Sequence, residues 1–311
     1  MVTPCIPLLS LGDSPDRLAP RLGASFREHG FALVADHCID PGLIASAWSL
    51  ARRFFALGER EKLRYRLEGL AGARGYTPFG TEIAKGASVH DLKEFWHVGR
   101  ELQPGHSLAD AMPPNVWPTE IAGFRETFTS LFAEFDRIGN LLLSHIARDL
   151  GLAPDWFEPA TQDGNSVLRL LHYPPLEDGR QGAPRAGPHE DINLVTLLLG
   201  AEEAGLELLG RDGAWSAVSP PEGALVVNVG DMLQRLTNHV LPSITHRVIN
   251  PSGPAALRSR YAMPFFLHLR SDFPIRTLPR CIGPGNPDRY PTPITADDFL
   301  QERLREIGLR S

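Results

Sequence analysis

Between about residues 163 and 272 the chain breaks into short apolar runs separated by turn-forming clusters, and this alternation limits the folds open to it more than any other feature. The runs are Ser166–Tyr173, Asn193–Leu199, Leu206–Leu209, Trp215–Val218, Ala224–Val229, Thr245–Ile249 and Arg258–Leu267. Arg211-Asp-Gly213, Pro220-Pro-Glu-Gly223 and Pro251-Ser-Gly-Pro254 stand between them. Segments this short, rich in Val, Leu and Ile, read as strands, and many of them in succession close into a sandwich or barrel. The stretch from Ala224 to Leu233 is expected to form two strand pieces joined by a turn.

The flanking regions have a different character. From Pro118 onward, Ile121, Phe124, Phe128, Leu131, Phe135, Ile138 and Leu142 recur at steps of three and four. The spacing predicts a helix of about six turns with one apolar face, ending near Gly151. Its aromatic stripe reads as a core face. Four stretches result: a mixed region over 1–115 that packs on the core, a connecting helix within 116–151, a strand-rich core over 152–272, and a tail over 273–311 closing with a helix from Thr295 to about Leu309. Within the first, Gly30–Ala35 and Lys93–Val98 read as strands, Pro41–Phe55 as a helix opened by Asp40, Glu59–Arg66 as a charged helix with a solvated face, and Gly69–Gly80 as a loop.

With 311 residues, 42% of them hydrophobic, the chain can bury a full-sized core. A formal charge of −6 argues against a general nucleic-acid binder. The cations are 28 Arg and three Lys (Lys62, Lys85, Lys93), which reads as composition bias. No apolar run is long enough to cross a bilayer. The amino terminus lacks the basic segment of a signal peptide, so a cytoplasmic location is expected. Cys5, Cys38 and Cys281 lie far apart, which disfavours disulfides and cysteine-rich zinc sites. Cys38 is expected to be a small buried apolar group.

Of 11 histidines, one stands two residues before an aspartate, in His189-Glu190-Asp191. On a strand, positions i and i+2 share a face, so an imidazole and a carboxylate could meet there. A further histidine from a neighbouring strand would complete a two-histidine, one-carboxylate set, which leaves coordination positions open on iron(II). His246, in the β-favouring run Ser-Ile-Thr-His246-Arg-Val-Ile, is the candidate. His172 and His239 are expected to be structural or solvent-facing, and His90 and His97 to face solvent or core. Downstream, alternation along Arg258-Ser-Arg260-Tyr-Ala262 sends both Arg258 and Arg260 to one side of an apolar strand, where an inward guanidinium needs an anionic partner.

These residues, taken in order, resemble the non-haem iron(II) and 2-oxoglutarate-dependent oxygenases, in particular the isopenicillin-N-synthase-like branch. The resemblance covers nearly the whole chain. It rests on Gly30-Phe31, Asp36-His37-Cys38-Ile39, Phe54-Phe55 before Glu61-Lys62, Gly75-Tyr76, Asp91-Leu-Lys-Glu94-Phe95, Leu168-Arg-Leu-Leu-His-Tyr173-Pro-Pro, the His189/Asp191 pair, Asn228-Val-Gly-Asp231 and His246-Arg-Val. It implies an α+β, mainly β fold, a double-stranded β-helix or jelly roll with flanking helices. It implies His189, Asp191 and His246 as ligands of Fe(2+), with 2-oxoglutarate as co-substrate and O2 as oxidant. Tyr173 and Arg260 would bind the co-substrate. The expected activity is oxidation of a small-molecule substrate, hydroxylation first, with release of succinate and CO2, and no nucleic-acid or membrane partner. By the same architecture Gly75–Thr81, Phe95–His97, the strands over 206–218 and the tail would shape the pocket. The chain departs from the pattern twice. Leu171 stands where the family carries an asparagine, and Ala262 where it carries the serine of its Arg-x-Ser motif. These departures leave two other readings open: an iron oxidase of the same fold that does not use 2-oxoglutarate, and a silent metal- or ligand-binding jelly roll.

Overall fold

The computed structural model describes residues 6–70, 72–81, 91–176, 184–199 and 205–306. Cys5, Lys85, His90 and the last residues of the expected carboxy-terminal helix lie outside them. In chain order the elements are β1 (Leu8–Ser10), α1 (Pro15–His29), β2 (Phe31–Ala35), α2 (Pro41–Phe55), α3 (Glu59–Leu63), β3 (Gly75–Thr77), β4 (Glu94–Gly99), α4 (Phe124–Asp149), α5 (Glu158–Thr161), β5 (Val167–Tyr173), β6 (Ala186–His189), β7 (Val195–Leu199), β8 (Leu206–Leu209), β9 (Trp215–Ala217), β10 (Leu225–Val229), α6 (Asp231–Leu236), β11 (His246–Val248), β12 (Arg260–Leu267), β13 (Pro274–Ile275), β14 (Ile294–Thr295) and α7 (Ala296–Glu306).

Two sheets make the jelly roll. The larger has the order β1-β2-β10-β7-β12-β5-β4-β3, and the smaller β6-β11-β8-β9. Their inner faces meet: Phe31, Leu33 and Val226 of the large sheet pack with Leu206 and Leu208 of the small one. The outer face of the large sheet is covered by α1, α2 and α4, whose apolar stripes join Leu168, Leu170, Leu197 and Phe265 in the main core. Phe135 stacks on Phe265 with centroids 5.6 Å apart, and Phe132 meets the same ring edge-on at 5.0 Å. Because successive strand residues alternate between faces, a residue on β4, β5 or β12 serves either this helix-covered core or the barrel interior.

Several expectations are corrected in detail. Helix α4 begins at Phe124 and not at Pro118; Gly123, at φ +80°, breaks the chain direction, and Pro118 and Ile121 carbonyls close tight turns before it. Helix α1 went unread because Pro15, Pro20 and Gly23 interrupt its pattern. Gly23 lets the helices approach closely, since a Cβ there would lie 2.1 Å from the Asp149 carboxylate of α4, which would have to move. The loop read over 69–80 contains strand β3. The second strand piece expected after Val229 is helix α6, entered through Gly230. Cys38 is exposed, at φ +58° in the turn after β2. The charged face of α3 is not wholly solvated, because Lys62 is buried.

Candidate metal centre and its surroundings

Strand β6 ends at His189, so Asp191 lies in the loop beyond it and not two places along the same strand. The same-face rule therefore does not bring the pair together. The loop is held instead by the start of α6: the Asp231 N–H donates to the Asp191 carbonyl at 2.7 Å, and Met232 N–H reaches the carbonyls of Ile192 and Asn193. Gly230 permits this close approach, since a Cβ there would sit 2.2 Å from the Asn193 carbonyl oxygen. His246 opens β11, whose register places it opposite His189.

The outcome is a compact donor set. His189 Nε2 lies 3.9 Å and His246 Nε2 3.8 Å from Asp191 Oδ1, and one ligand atom from each residue falls within 4.8 Å of the others. Each imidazole turns its other nitrogen to a carbonyl, His189 Nδ1 to Gly187 at 2.8 Å and His246 Nδ1 to Ile244 at 3.1 Å. With Nδ1–H donating, Nε2 presents its lone pair. Asp191 divides its oxygens similarly: Oδ2 accepts from Thr196 Oγ1 at 2.5 Å and Asn228 Nδ2 at 2.8 Å, while Oδ1 faces the imidazoles. Burial, then the neighbouring His246, pushes the His189 imidazole down to about 4, which keeps it neutral. Burial alone would raise the Asp191 carboxyl, but the two imidazoles and its hydrogen bonds outweigh that and hold it below the usual value. Two neutral imidazoles and an ionised carboxylate on one side of a shared point suit a divalent first-row metal. Glu190, the middle residue, is exposed and accepts from the Thr245 hydroxyl.

Tyr173 and Arg260 are cross-strand partners on β5 and β12, both buried, with the Arg260 guanidinium carbon 5.1 Å from the tyrosine ring centroid. Arg258 lies outside the strand and is exposed. The two departures from the family pattern also face one another: Leu171 pairs with Ala262, and both pack with Phe95 and Tyr173 in one apolar cluster. Apolar side chains on both sides leave no buried polar group there without a partner. His172 points to the opposite face, where Nδ1 lies 2.7 Å from Glu94. His239 stacks on Tyr290 of the tail. His97 faces inward from β4.

Sequence reasoning missed the roles of four neighbours of this centre. Thr196 and Asn228 fix the aspartate; Asn228 stood in a quoted motif without a role. Lys93, taken as part of a composition bias, is buried and pairs with Asp91 at 2.9 Å, and Asp91 in turn accepts the Gly187 N–H of the His189 strand. Arg185, fully buried, lies 5.9 Å from the Tyr173 ring centroid and donates to the Arg258 carbonyl.

Two family models match the chain, one described as the N-terminal part of the non-haem dioxygenase in morphine synthesis over residues 4–120, the other as the 2OG-Fe(II) oxygenase superfamily over residues 164–269. Among characterised relatives, the 2-oxoglutarate-Fe(II) type oxidoreductase hxnY of Emericella nidulans is 32% identical, the match covering 95% of this chain and 86% of that protein. Among solved structures, a Caulobacter crescentus protein named for the 2OG-Fe(II) oxygenase family superposes with a TM-score of 0.91 at 52% identity, covering 98% of this chain and 100% of that one. A full-length Neurospora crassa protein, solved with alpha-KG and thymine, gives 0.85 at 27% identity, with 96% of both chains covered.

Proposed function

The chain belongs to the non-haem iron(II) and 2-oxoglutarate-dependent oxygenases, and from that premise we propose that His189, Asp191 and His246 hold its iron and that Arg260 and Tyr173 hold its co-substrate. The protein is an iron(II)- and 2-oxoglutarate-dependent dioxygenase acting on a small molecule. Iron(II), when bound with 2-oxoglutarate, supplies the activation of dioxygen that yields succinate, CO2 and an oxidised substrate. Hydroxylation is the proposed outcome.

The observation that carries the residue assignment is the convergence of two carbonyl-anchored imidazoles on the one oxygen of Asp191 that Thr196 and Asn228 leave facing them. The anchors fix each tautomer and aim both lone pairs, so little reorganisation is needed for a metal to enter. Arg260 offers a planar fork that suits the far carboxylate of 2-oxoglutarate, and Tyr173 lies beside it. Phe31, Phe95, Leu171 and Ala262 line the interior with apolar surface, which excludes water and strengthens each charged contact. A freely diffusing substrate in the cytoplasm, with no nucleic-acid or membrane partner, fits the acidic net charge; among the described residues no helix is long and apolar enough to cross a membrane.

Formation of succinate from 2-oxoglutarate with added iron(II) tests the assignment. Asp191→Ala should abolish it. Arg260→Ala should raise the KM for 2-oxoglutarate by about 30-fold or more, the loss of a buried charge-assisted pair worth about 2 kcal/mol or more. Succinate formation at the wild-type rate in Asp191→Ala would overturn the ligand assignment.

A further inference from the structure

The imidazoles of the barrel interior are tied down, with one exception. His97, His189 and His246 turn Nδ1 to the carbonyls of Gly72, Gly187 and Ile244. His268 does not. It directly follows β12, and because Phe265 and Leu267 belong to the helix-covered core, alternation sends Phe266 and His268 inward. Its backbone is held firmly. The N–H donates to Ser166 Oγ at 3.1 Å, and Gly164 packs so close to its carbonyl oxygen that a Cβ would lie 2.3 Å away. The side chain is buried, yet neither ring nitrogen has a hydrogen-bond partner among the described residues.

The surrounding register puts this ring beside the candidate metal centre. Phe266 pairs with Thr196 of β7, the residue whose hydroxyl donates to Asp191. The Leu267 carbonyl accepts the N–H of Leu194, three residues past Asp191, at 2.9 Å. One strand over and two residues along, the His268 backbone lies about 8 Å from that of Thr196. Arg260 stands at the far end of β12, about 25 Å away along the strand. A small molecule held by His268 would thus adjoin the metal centre and leave the Arg260 end to the co-substrate. Burial pushes the His268 imidazole down to about 4, against the opposing pull of the Asp191 carboxylate, so the ring is uncharged at neutral pH. It then offers one N–H donor and one lone pair. On the same face Phe266, half-buried, adds an aromatic surface.

We propose that His268 hydrogen-bonds the molecule this enzyme oxidises, and that this molecule is a flat apolar ring bearing an uncharged hydroxyl or lactam group. The inference rests on the reading of His189, Asp191 and His246 as the iron site and Arg260 as the 2-oxoglutarate site. A hydroxyl or lactam both donates and accepts, which matches the single donor and single acceptor of a neutral imidazole. Buried polar groups are as a rule paired, and the bound molecule supplies the partner that the fold does not. Phe266 gives the flat body a ring to pack against. An analogue without the polar group leaves the imidazole stripped of water and unpaired, so the site discriminates against it.

Pairs of probes alike in shape test this on the protein loaded anaerobically with iron(II) and 2-oxoglutarate: phenol against fluorobenzene, benzyl alcohol against ethylbenzene, and 2-pyridone against 2-fluoropyridine. Binding is followed by calorimetry and by perturbation of the visible band of the iron–2-oxoglutarate chelate. In at least one pair the hydroxyl or lactam member should bind about fivefold or more tightly. His268→Leu should erase that preference, while His268→Gln, which keeps a donor and an acceptor, retains part of it. In both variants 2-oxoglutarate should form the chelate with affinity within about twofold of wild type, which also shows that the site is assembled. Equal binding within every pair, no probe binding at millimolar concentration, or a preference that survives His268→Leu would overturn the proposal. Loss of the chelate in His268→Leu and His268→Gln alike would overturn it too, placing that histidine in the support of the metal centre. Failure of the wild type to form the chelate would instead remove the reading beneath it, and the proposal with it.

Discussion

Asp191 has two carboxylate oxygens with separate tasks, and the residues that enforce the division are not ligands themselves. Thr196 and Asn228 both donate to Oδ2, so Oδ1 faces His189 and His246. Thr196→Val keeps the shape and removes the hydroxyl. It should weaken iron(II) affinity by about 10- to 100-fold, measured by competition with a chromophoric chelator, with little change in stability. Unchanged affinity would mean that the hydroxyl serves only to pack the loop. The convergence of His189, Asp191 and His246 was legible in the sequence, since a histidine and an aspartate two apart, followed by a third group on a β-favouring run, are rare together. Thr196 was not, because a threonine on an apolar strand has no signature until its cross-sheet partner is known. Lysine was misread for a related reason. In an arginine-rich chain its scarcity looks like bias, yet Lys62 and Lys93 both sit in buried ion pairs with carboxylates. A compact ammonium fits such sites where a planar guanidinium would need more room.

Alternation along a strand lets β4 and β5 serve two environments at once. Phe95 and His97 of β4 line the interior, while Glu94 and Trp96 face the helices; Arg169, Leu171 and Tyr173 of β5 line the interior, while Leu170 and His172 face outward. On the outer side Glu94 ties three elements together. It accepts from Lys62 of α3 at 2.7 Å, lies 2.7 Å from His172 Nδ1 of β5, and accepts the Tyr76 hydroxyl of β3. Burial alone would raise its carboxyl, but these hydrogen bonds and the Lys62 charge outweigh burial and hold it below the usual value. A carboxyl depressed in the folded state stabilises it above the unfolded pKa, and that contribution fades as pH falls through the depressed value. Glu94→Gln should therefore cost about 3–5 kcal/mol at neutral pH, as when one partner of a buried pair is removed. Denaturant unfolding of the two proteins should show the gap holding above about pH 4.3 and closing below it. A gap independent of pH would mean that shape, and not charge, is what Gln disturbs. Strand periodicity foretold seven of the eight strands β5 to β12 to within two residues at each end, β6 falling outside the runs it marked. It failed where an element is set by tertiary contact: α6 is a helix because Gly230 lets the Asp191 loop rest against its first turn, and Asp191 needs no strand because that contact holds it.

Taken whole, the molecule places the donor set proposed for iron at the small sheet and the arginine proposed for the co-substrate on the large one, so the proposed site exists only when both sheets face each other. The amino-terminal region takes part directly, since β1 and β2 extend the large sheet at one end and β3 and β4 at the other. Order along the chain made this architecture legible, whereas the pairing of β2 with β10, nearly two hundred residues apart, is visible only in the fold. A site spread over both sheets couples ligand binding to global stability. Iron(II) and 2-oxoglutarate at about 100 times their dissociation constants should each add about 2.7 kcal/mol to unfolding free energy, read as a rise in Tm. The 2-oxoglutarate increment should vanish in Arg260→Ala, and the iron increment in Asp191→Ala. A rise of equal size in the variants would indicate binding elsewhere.

The central claim is that His189, Asp191 and His246 hold one iron(II) to which 2-oxoglutarate chelates with its far carboxylate on Arg260. Its most direct test is an anaerobic titration of the apoprotein with iron(II) and then 2-oxoglutarate, following the visible charge-transfer band of the chelate. The band should saturate at one equivalent of each per chain in the wild type and fail to form in Asp191→Ala, with Arg260→Ala needing far more 2-oxoglutarate to reach it. Iron binding without the band, or a full-strength band in Asp191→Ala, would contradict the account.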